Sequence, residues 1–179
     1  MLEFRSIETG DAAVIRNWPP YPAEFSELDY TLRDDGWLAE YRYKPDTLIY
    51  VAKQRGELVA FSLLSRTGNA SAEFRIALRA DRLGRGLGKT VAALTLAQGF
   101  SDPGLNCIHL IVRKNNIRAQ HLYRQLGFRE KSGITKHVNG SLVDFIEMNI
   151  SKSENKGAAT LLRNTTLLRN KGAATLRAK

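Results

Sequence analysis

A glycine-rich stretch at residues 81–90 constrains the fold more than any other part of the sequence. Three glycines at alternate positions, Gly84, Gly86 and Gly88, follow an apolar run that has the length of a strand. The residues after them, 91–100, repeat Ala, Leu and Val at helical spacing. The pattern therefore predicts a strand, a glycine turn and a helix in succession.

Such a turn is suited to binding an anion. Glycine has no Cβ, so the backbone can adopt positive φ angles and a ligand can approach its N–H groups closely. The first turn of a helix adds unpaired N–H donors and the positive end of the helix dipole, which favour a phosphate by roughly 0.3–1 kcal/mol at an exposed site. Arg82, Arg85 and Lys89 add positive charge. Simple helix capping is an alternative explanation of the same glycines.

Two well-known phosphate-binding motifs do not fit this stretch. A Walker loop needs Gly-x-x-x-x-Gly-Lys-Ser/Thr, whereas position 83 is Leu. The dinucleotide-binding fingerprint needs Gly-x-Gly-x-x-Gly, whereas the third glycine here comes one residue early. The stretch therefore belongs to neither of these two classes.

A second motif follows a β-rich run at residues 108–112. Residues 116–128 are Asn-Ile-Arg-Ala-Gln-His-Leu-Tyr-Arg-Gln-Leu-Gly-Phe. With the glycine turn before it, this segment resembles the GCN5-related N-acetyltransferase (GNAT) superfamily, which has a strand ending in Arg/Gln-x-x-Gly-x-Gly/Ala and, further along, Asn-x-x-Ala-x-x-Leu-Tyr-x-x-x-Gly-Phe. The resemblance covers residues 2–150 and is dense over 72–130. One departure is Leu83, which stands where the family usually has Arg or Gln.

The resemblance implies an α+β fold of the GNAT (acyl-CoA N-acyltransferase) type. Its central sheet is mixed and mostly antiparallel, is flanked by helices, and has the element order βααβββαβαββ. The hydrophobic patterns predict the same order. Strands are expected at residues 2–7, 47–53, 58–65, 72–78, 108–112, 128–131 and 142–150, with turns at 54–57 and at Asn139-Gly140. Helices are expected at 12–18, at 91–100 and from 116 onward, and residues 23–43 predict two helices or one kinked helix.

The resemblance also implies acetyl-coenzyme A (acetyl-CoA) as co-substrate. No metal is expected, because the single cysteine cannot form a metal site alone and the histidines lack the spacing of metal ligands. The backbone of the glycine turn would hold the pyrophosphate, the strand before it would pair with the pantetheine amides, and Asn116 would bind the coenzyme arm. A plain helix N-cap is an equal alternative for Asn116. The residues expected to bind the coenzyme are Ile76, Ala77, Leu78, Leu83, Gly84, Arg85, Gly86, Leu87, Gly88, Lys89, Thr90, Asn116 and Tyr123.

The same resemblance implies two catalytic side chains. Tyr123 matches the general acid that protonates the departing thiolate, and a phenol with a reference pKa near 10 is protonated at neutral pH. Glu73 stands where some members of the family keep a base that acts directly or through water. The alternatives are a packed helix tyrosine and a solvent-facing strand glutamate. None of the three histidines has a partner at metal-ligand spacing.

The acceptor site is expected to be built in part by the region between the first two strands, as in the family. This region is rich in aromatic residues, and each of them has core packing as its alternative role. The candidates for the pocket are Trp18, Tyr21, Phe25, Tyr30 and Trp37.

The chain divides by composition into residues 1–150, the expected N-acetyltransferase domain, and 151–179, a basic low-complexity repeat expected to be disordered or partly helical. The tail has seven Lys or Arg against one Glu, so it holds most of the formal net charge of +9. Nucleic-acid binding is therefore not expected except through the tail. No apolar run approaches the roughly 20 residues of a membrane helix, so a cytoplasmic location without a membrane partner is expected.

The leading hypothesis is an acetyl-CoA-dependent N-acetyltransferase that acts on the primary amine of a small molecule, a peptide or a protein. One alternative is a coenzyme-binding regulatory module that has lost turnover. Another is a toxin-like acetyltransferase that modifies charged tRNA. A homodimer is also an expectation, since dimers are common in the family.

Overall fold

The computed structural model describes residues 2–34 and 36–155, so most of the predicted basic tail lies outside the described residues. The strands are β1 (Leu2–Ser6), β2 (Thr47–Gln54), β3 (Glu57–Arg66), β4 (Ser71–Leu78), β5 (Cys107–Arg113), β6 (Arg129–Val138) and β7 (Ser141–Ser151). The helices are α1 (Asp11–Arg16), α2 (Trp37–Tyr41), α3 (Leu87–Ser101) and α4 (Ile117–Gln125), with 3₁₀ helices at Ala23–Leu32 and Ala80–Arg82. The predicted element order is confirmed.

The seven strands form one sheet in the order β1-β2-β3-β4-β5-β7-β6. Every neighbouring pair is antiparallel except β4 and β5, which run parallel. This pair is short, because only Ser71–Glu73 is in register with Cys107–His109. β4 then continues along β3 as far as Leu78, and β5 continues along β7 as far as Arg113. The two strands therefore separate, and the middle of the sheet contains a gap.

Helices cover both faces of the sheet, and the side chains of β4 alternate between the two cores. Phe74 packs in a buried cluster with Leu96 of α3 and Tyr123 of α4. Ala77 packs on the opposite face in a cluster with Trp18, which follows α1. Because side chains alternate along a strand, β4 is anchored in the cores on both faces of the sheet, and this fixes its position beside the gap. In the described part of the chain, no helix is both long and apolar enough to cross a membrane.

The segment 23–43 differs from the prediction in helix type. Its first part is the 3₁₀ helix Ala23–Leu32, and only Trp37–Tyr41 is an α-helix. Polar side chains explain the difference, because they bond to nearby backbone groups and compete with α-helical bonding. The Ser26 hydroxyl donates to the Ala23 carbonyl (2.9 Å), and the Thr31 hydroxyl donates to the Leu28 carbonyl (2.7 Å).

The sixth strand is longer than predicted. It was expected at residues 128–131 and runs over Arg129–Val138. Because β6 lies at the edge of the sheet and most of its side chains are exposed, its sequence lacks the apolar alternation that marks a half-buried strand. The predicted turn at Asn139-Gly140 is confirmed, with positive φ angles of 49° and 79° that suit a two-residue hairpin.

A glycine between the 3₁₀ helix and α2 provides a test of this packing. A Cβ at Gly36 would lie 2.5 Å from the carbonyl oxygens of Tyr30 and Thr31. Backbone atoms cannot rotate away, so we expect Gly36→Ala to lower the free energy of unfolding by roughly 1–3 kcal/mol, measured by urea denaturation. Gly133→Ala is the matched control, because Gly133 is exposed and its nearest neighbour would lie at 3.9 Å. Equal stability of Gly36→Ala and the wild type would contradict this packing.

Candidate active site

A cavity of about 490 Å³ lies at the gap between β4 and β5. Such a volume is within the range of small-molecule sites. The glycine turn and the start of α3 contribute Leu83, Gly84, Gly86, Leu87, Gly88 and Lys89. The facing strands and α4 contribute Ile76, Ala77, Leu78, Ile111, Val112, Arg113, Asn116, Arg118, Ala119, His121, Leu122, Tyr123 and Gln125. The remaining lining residues are Tyr21, Phe25, Leu28, Tyr30, Trp37 and Phe145.

The glycine turn has the backbone geometry that its sequence predicts. Gly84 and Gly86 have φ angles of 80° and 75°, and Gly86 is the N-cap of α3. The helical bonding begins with the Lys89 N–H, which donates to the Gly86 carbonyl at 3.1 Å. The N–H groups of Leu87 and Gly88 precede that bond and are the free donors of the first turn. The turn therefore presents backbone donors to the cavity.

Two cations lie by this turn without a carboxylate partner in the residues described. Lys89 follows the turn on α3, and Arg118 comes from α4. The Arg118 guanidinium lies 3.1 Å from the position that a Cβ on Gly84 would occupy. Sequence analysis missed Arg118, because only the packing of α4 against the turn brings it there. Its one sequence signal is its place inside the Asn116–Phe128 motif.

The other basic residues of the stretch are arranged differently. Arg82 pairs with Glu57 (2.5 Å) and with Asp81 (3.5 Å), so its charge is already compensated. Arg85 is exposed and does not line the cavity, and neither does Thr90. The other predicted coenzyme-binding residues all line it.

Tyr123 presents its ring to an aromatic cluster and lines the cavity. The ring packs edge to face against Phe74 (centroids 6.3 Å apart) and against Phe128 (5.7 Å). Burial raises its pKa above the ordinary value. No hydrogen bond to the Tyr123 hydroxyl is formed by any residue that the structure describes. The side chain is therefore a fixed, protonated and unengaged donor at neutral pH.

Asn116 is the N-cap of α4 and also lines the cavity. Its side-chain oxygen accepts the Ala119 N–H at 3.0 Å. The plain N-cap is thus formed, and the side-chain NH₂ group is left as a donor. The two roles considered for Asn116 are compatible, because they use different atoms.

Glu73 does not line the cavity and is held in a network on the face of α2. One carboxylate oxygen accepts the Tyr41 hydroxyl at 2.7 Å, and the other pairs with Arg75 at 2.8 Å. Burial, followed by the bond to Glu73, raises the pKa of Tyr41. The Arg75 guanidinium lies over the rings of Trp37 (5.1 Å) and Tyr41 (4.9 Å). Both oxygens of Glu73 are therefore engaged.

The aromatic candidates divide between the pocket and the core. Tyr21, Phe25, Tyr30 and Trp37 line the cavity, whereas Trp18 is 4% exposed and belongs to the core. The Tyr21 hydroxyl donates to the Leu78 carbonyl at 2.7 Å, at the end of β4. Burial raises the pKa of Tyr21. Within residues 2–34 and 36–155, no group of three or more His, Cys, Asp or Glu is placed to hold a metal ion.

Comparison with known proteins gives the family. The model of the acetyltransferase (GNAT) family matches residues 12–128. The spermidine N(1)-acetyltransferase of Escherichia coli (strain K12) is 31% identical over 145 residues, which cover 77% of this chain and 74% of that protein. The enzyme of the same name from Vibrio cholerae is 28% identical over 170 residues, which cover 86% and 94%.

The solved structures agree in fold. The crystal structure of spermidine N-acetyltransferase from Vibrio cholerae in complex with CoA and spermine has a TM-score of 0.71 at 23% identity, covering 86% of this chain and 97% of that one. A likeness at this identity shows the shared fold. The family match extends over more than half of the chain and includes the glycine turn and α4. The chain therefore belongs to the acetyltransferase (GNAT) family, and its acetyl donor is acetyl-CoA.

Proposed function

We propose that this acetyltransferase moves the acetyl group of acetyl-CoA directly to a primary amine, with Tyr123 as the general acid. The proposal is carried by the Tyr123 hydroxyl, a protonated donor on the cavity wall that has no hydrogen-bond partner in the described part of the chain. The spermidine acetyltransferases that the chain resembles support an amine as the acceptor. Primary amines are the shared chemistry of that class.

The coenzyme is proposed to lie along the gap. Its pyrophosphate fits the free N–H groups of Leu87 and Gly88, with Lys89 and Arg118 as counter-charges. Arg118 would then supply the cation that the family usually has at the position of Leu83. The pantetheine amides fit beside residues 76–78, where β4 has no strand partner on the side of β5.

The proposed reaction replaces the C–S bond of the thioester with the C–N bond of an amide. The neutral amine nitrogen attacks the thioester carbon, a C–N bond forms and the C–S bond breaks. Tyr123 gives its hydroxyl proton to the departing sulfur, and the tyrosinate is reprotonated with the proton that the attacking nitrogen loses. The products are an N-acetyl amine and the free thiol of the coenzyme.

Burial of Tyr123 does not prevent this proton transfer. A model phenol has a pKa near 10 and a model thiol one near 8.5, so transfer to the thiolate is uphill in water by about 2 kcal/mol. The same apolar surroundings destabilise the thiolate, which raises the pKa of the thiol as well. The two acids shift in the same direction, and the burial keeps Tyr123 protonated until the thiolate forms.

Glu73 is the proposed base, and its surroundings support it less than those of Tyr123. An amine with a pKa near 10.4 is neutral in only about one molecule in 2,500 at pH 7, which costs roughly 4.6 kcal/mol, whereas an α-amine near 7.8 costs roughly 1.1 kcal/mol. Because Tyr41 and Arg75 engage both carboxylate oxygens, Glu73 would act through water. Because an α-amine costs less to deprotonate, an acceptor of that type depends less on this base.

Tyr123→Phe tests the role of the hydroxyl. We expect kcat to fall by about 10²–10⁴, because the proton donor is lost, while the Kd of acetyl-CoA stays within about twofold. Steady-state kinetics and calorimetry measure the two quantities. Tyr50→Phe is the matched control, because burial raises the pKa of Tyr50 to about 12 and this residue does not line the cavity. An unchanged kcat for Tyr123→Phe would remove Tyr123 from the mechanism.

Two glycines with the same local geometry provide a matched test of the cradle. Gly86 and Gly10 are both helix N-caps with positive φ (75° and 96°), and an added Cβ would meet no atom within 4 Å at either. Both Ala variants therefore carry a similar backbone strain of about 1–2 kcal/mol. We expect Gly86→Ala to weaken acetyl-CoA binding at least about tenfold by filling the cradle, and Gly10→Ala to bind normally. Equal affinity in calorimetry would place the coenzyme elsewhere.

The variant Glu73→Gln distinguishes two roles of Glu73. If Glu73 is the base, Glu73→Gln lowers kcat/KM by about 10²-fold at neutral pH, and the loss shrinks as pH rises and the free amine becomes abundant. A role limited to holding Arg75 predicts a loss that does not change with pH. The pH profile of kcat/KM distinguishes the two, with Glu130→Gln as control, since Glu130 pairs with Arg124 outside the cavity.

A further inference from the structure

The cavity lining that the structure describes lacks the carboxylates that would bind a polycationic acceptor such as a polyamine. No Asp or Glu side chain lines the cavity in the described residues, although three cations do. Two of these, Lys89 and Arg118, lie by the glycine turn. The third, Arg113, lies at the end of β5, opposite Phe145 of β7. Arg113 is therefore the charge that an acceptor would meet.

Arg113 has little to bind within the protein. The only hydrogen bond of its side chain to described residues is a long one, 3.4 Å from a terminal nitrogen to the Glu27 carbonyl. Its Nε is buried without a partner, and it forms no ion pair with any carboxylate that the structure describes. The guanidinium lies 5.9 Å from the Phe145 ring. A buried guanidinium N–H without an acceptor is costly, unless a ligand supplies one.

Trp37 is a second lining residue with an unsatisfied donor. The indole nitrogen of Trp37 is buried and has no partner in the described residues. Trp37 and Arg113 come from different elements, α2 and β5, and both line the cavity. Among the carboxylates near these walls, Asp29 accepts the Tyr21 N–H, and Glu73 bonds to Tyr41 and Arg75. Glu24 and Glu27 flank Phe25 and Leu28 in sequence, but neither lines the cavity. The lining that the structure describes at this end thus contains the cation Arg113 and no carboxylate.

From these observations we infer that the acceptor is an amine that also carries a carboxylate on an apolar body, as a hydrophobic amino acid does. Arg113 would bind the carboxylate in the bidentate manner that its planar guanidinium allows. Phe25, Leu28 and Phe145 would contact the apolar body. A polyamine has no group for Arg113 and brings a second positive charge beside it, so the cavity disfavours it.

Pairing with Arg113 also assists the transfer. The carboxylate of the acceptor stabilises its own ammonium and raises the pKa of the amine. Because the Arg113 guanidinium compensates that carboxylate, the pKa of the amine falls and the fraction of neutral nucleophile increases. The C–N bond then forms as the C–S bond breaks, and the protons move as described for the proposed function. This inference rests on that function and adds the class of its acceptor.

The test is steady-state kinetics of the full chain with acetyl-CoA and three acceptors. Phenylalanine carries the carboxylate, phenylalaninamide has the same body without it, and spermidine is the polycation. The wild type is compared with Arg113→Gln and Arg113→Lys. Arg124→Gln is the matched control, since Arg124 pairs with Glu130 and does not line the cavity. For each variant we compare the ratio of kcat/KM between two acceptors. The amines have different pKa values, but this difference is the same for every variant and does not affect the comparison.

We expect Arg113→Gln to lower the preference for phenylalanine over its amide by about 30-fold or more. We expect Arg113→Lys to keep part of the preference for phenylalanine over its amide, because the positive charge remains. Arg124→Gln should keep the whole preference. A preference unchanged in Arg113→Gln overturns the inference, and so does a wild type that acetylates spermidine faster than any carboxylated amine. In the latter case the proposed function stands. If the wild type neither binds acetyl-CoA in calorimetry nor acetylates any amine, the proposed function itself fails.

Discussion

The short parallel contact between β4 and β5 is the constraint on which the rest of the site depends. Three residues of each strand pair, and beyond Glu73 and His109 the backbones belong to different neighbours, β3 for one strand and β7 for the other. Each strand is therefore held firmly on one side and open on the other. Unpaired backbone groups are costly when buried away from water, so a ligand that resembles an added strand stabilises this opening.

The three walls of the cavity supply different chemistry because they come from different parts of the fold. The glycine turn offers backbone donors, and its cations Lys89 and Arg118 have no carboxylate partner among the described residues. The ring of Tyr123 is packed between aromatic neighbours, which fixes the position of its hydroxyl. The wall proposed for the acceptor is aromatic, and Arg113 is the cation that its described residues contribute. Phosphate, leaving group and acceptor can therefore be recognised by separate groups within one gap.

The parts that the sequence predicted are those with local causes. The glycine turn follows from backbone freedom and the start of α3, and the hairpin turn at Asn139-Gly140 follows from its two residues of positive φ. The parts that were missed depend on tertiary contacts. Arg118 approaches Gly84 only through the packing of α4, and the engagement of Glu73 needs Tyr41 from another helix. The edge strand β6 has no buried face, so its pattern could not reveal its length.

In the proposed mechanism the thioester lies in the gap with its sulfur beside Tyr123. A crystal structure of the chain with bound coenzyme A would show the position of that sulfur. We expect it within about 3.5 Å of the Tyr123 hydroxyl oxygen, and we expect the pyrophosphate on the N–H groups of Leu87 and Gly88. A coenzyme bound elsewhere, or a sulfur separated from Tyr123 by the sheet, would contradict it.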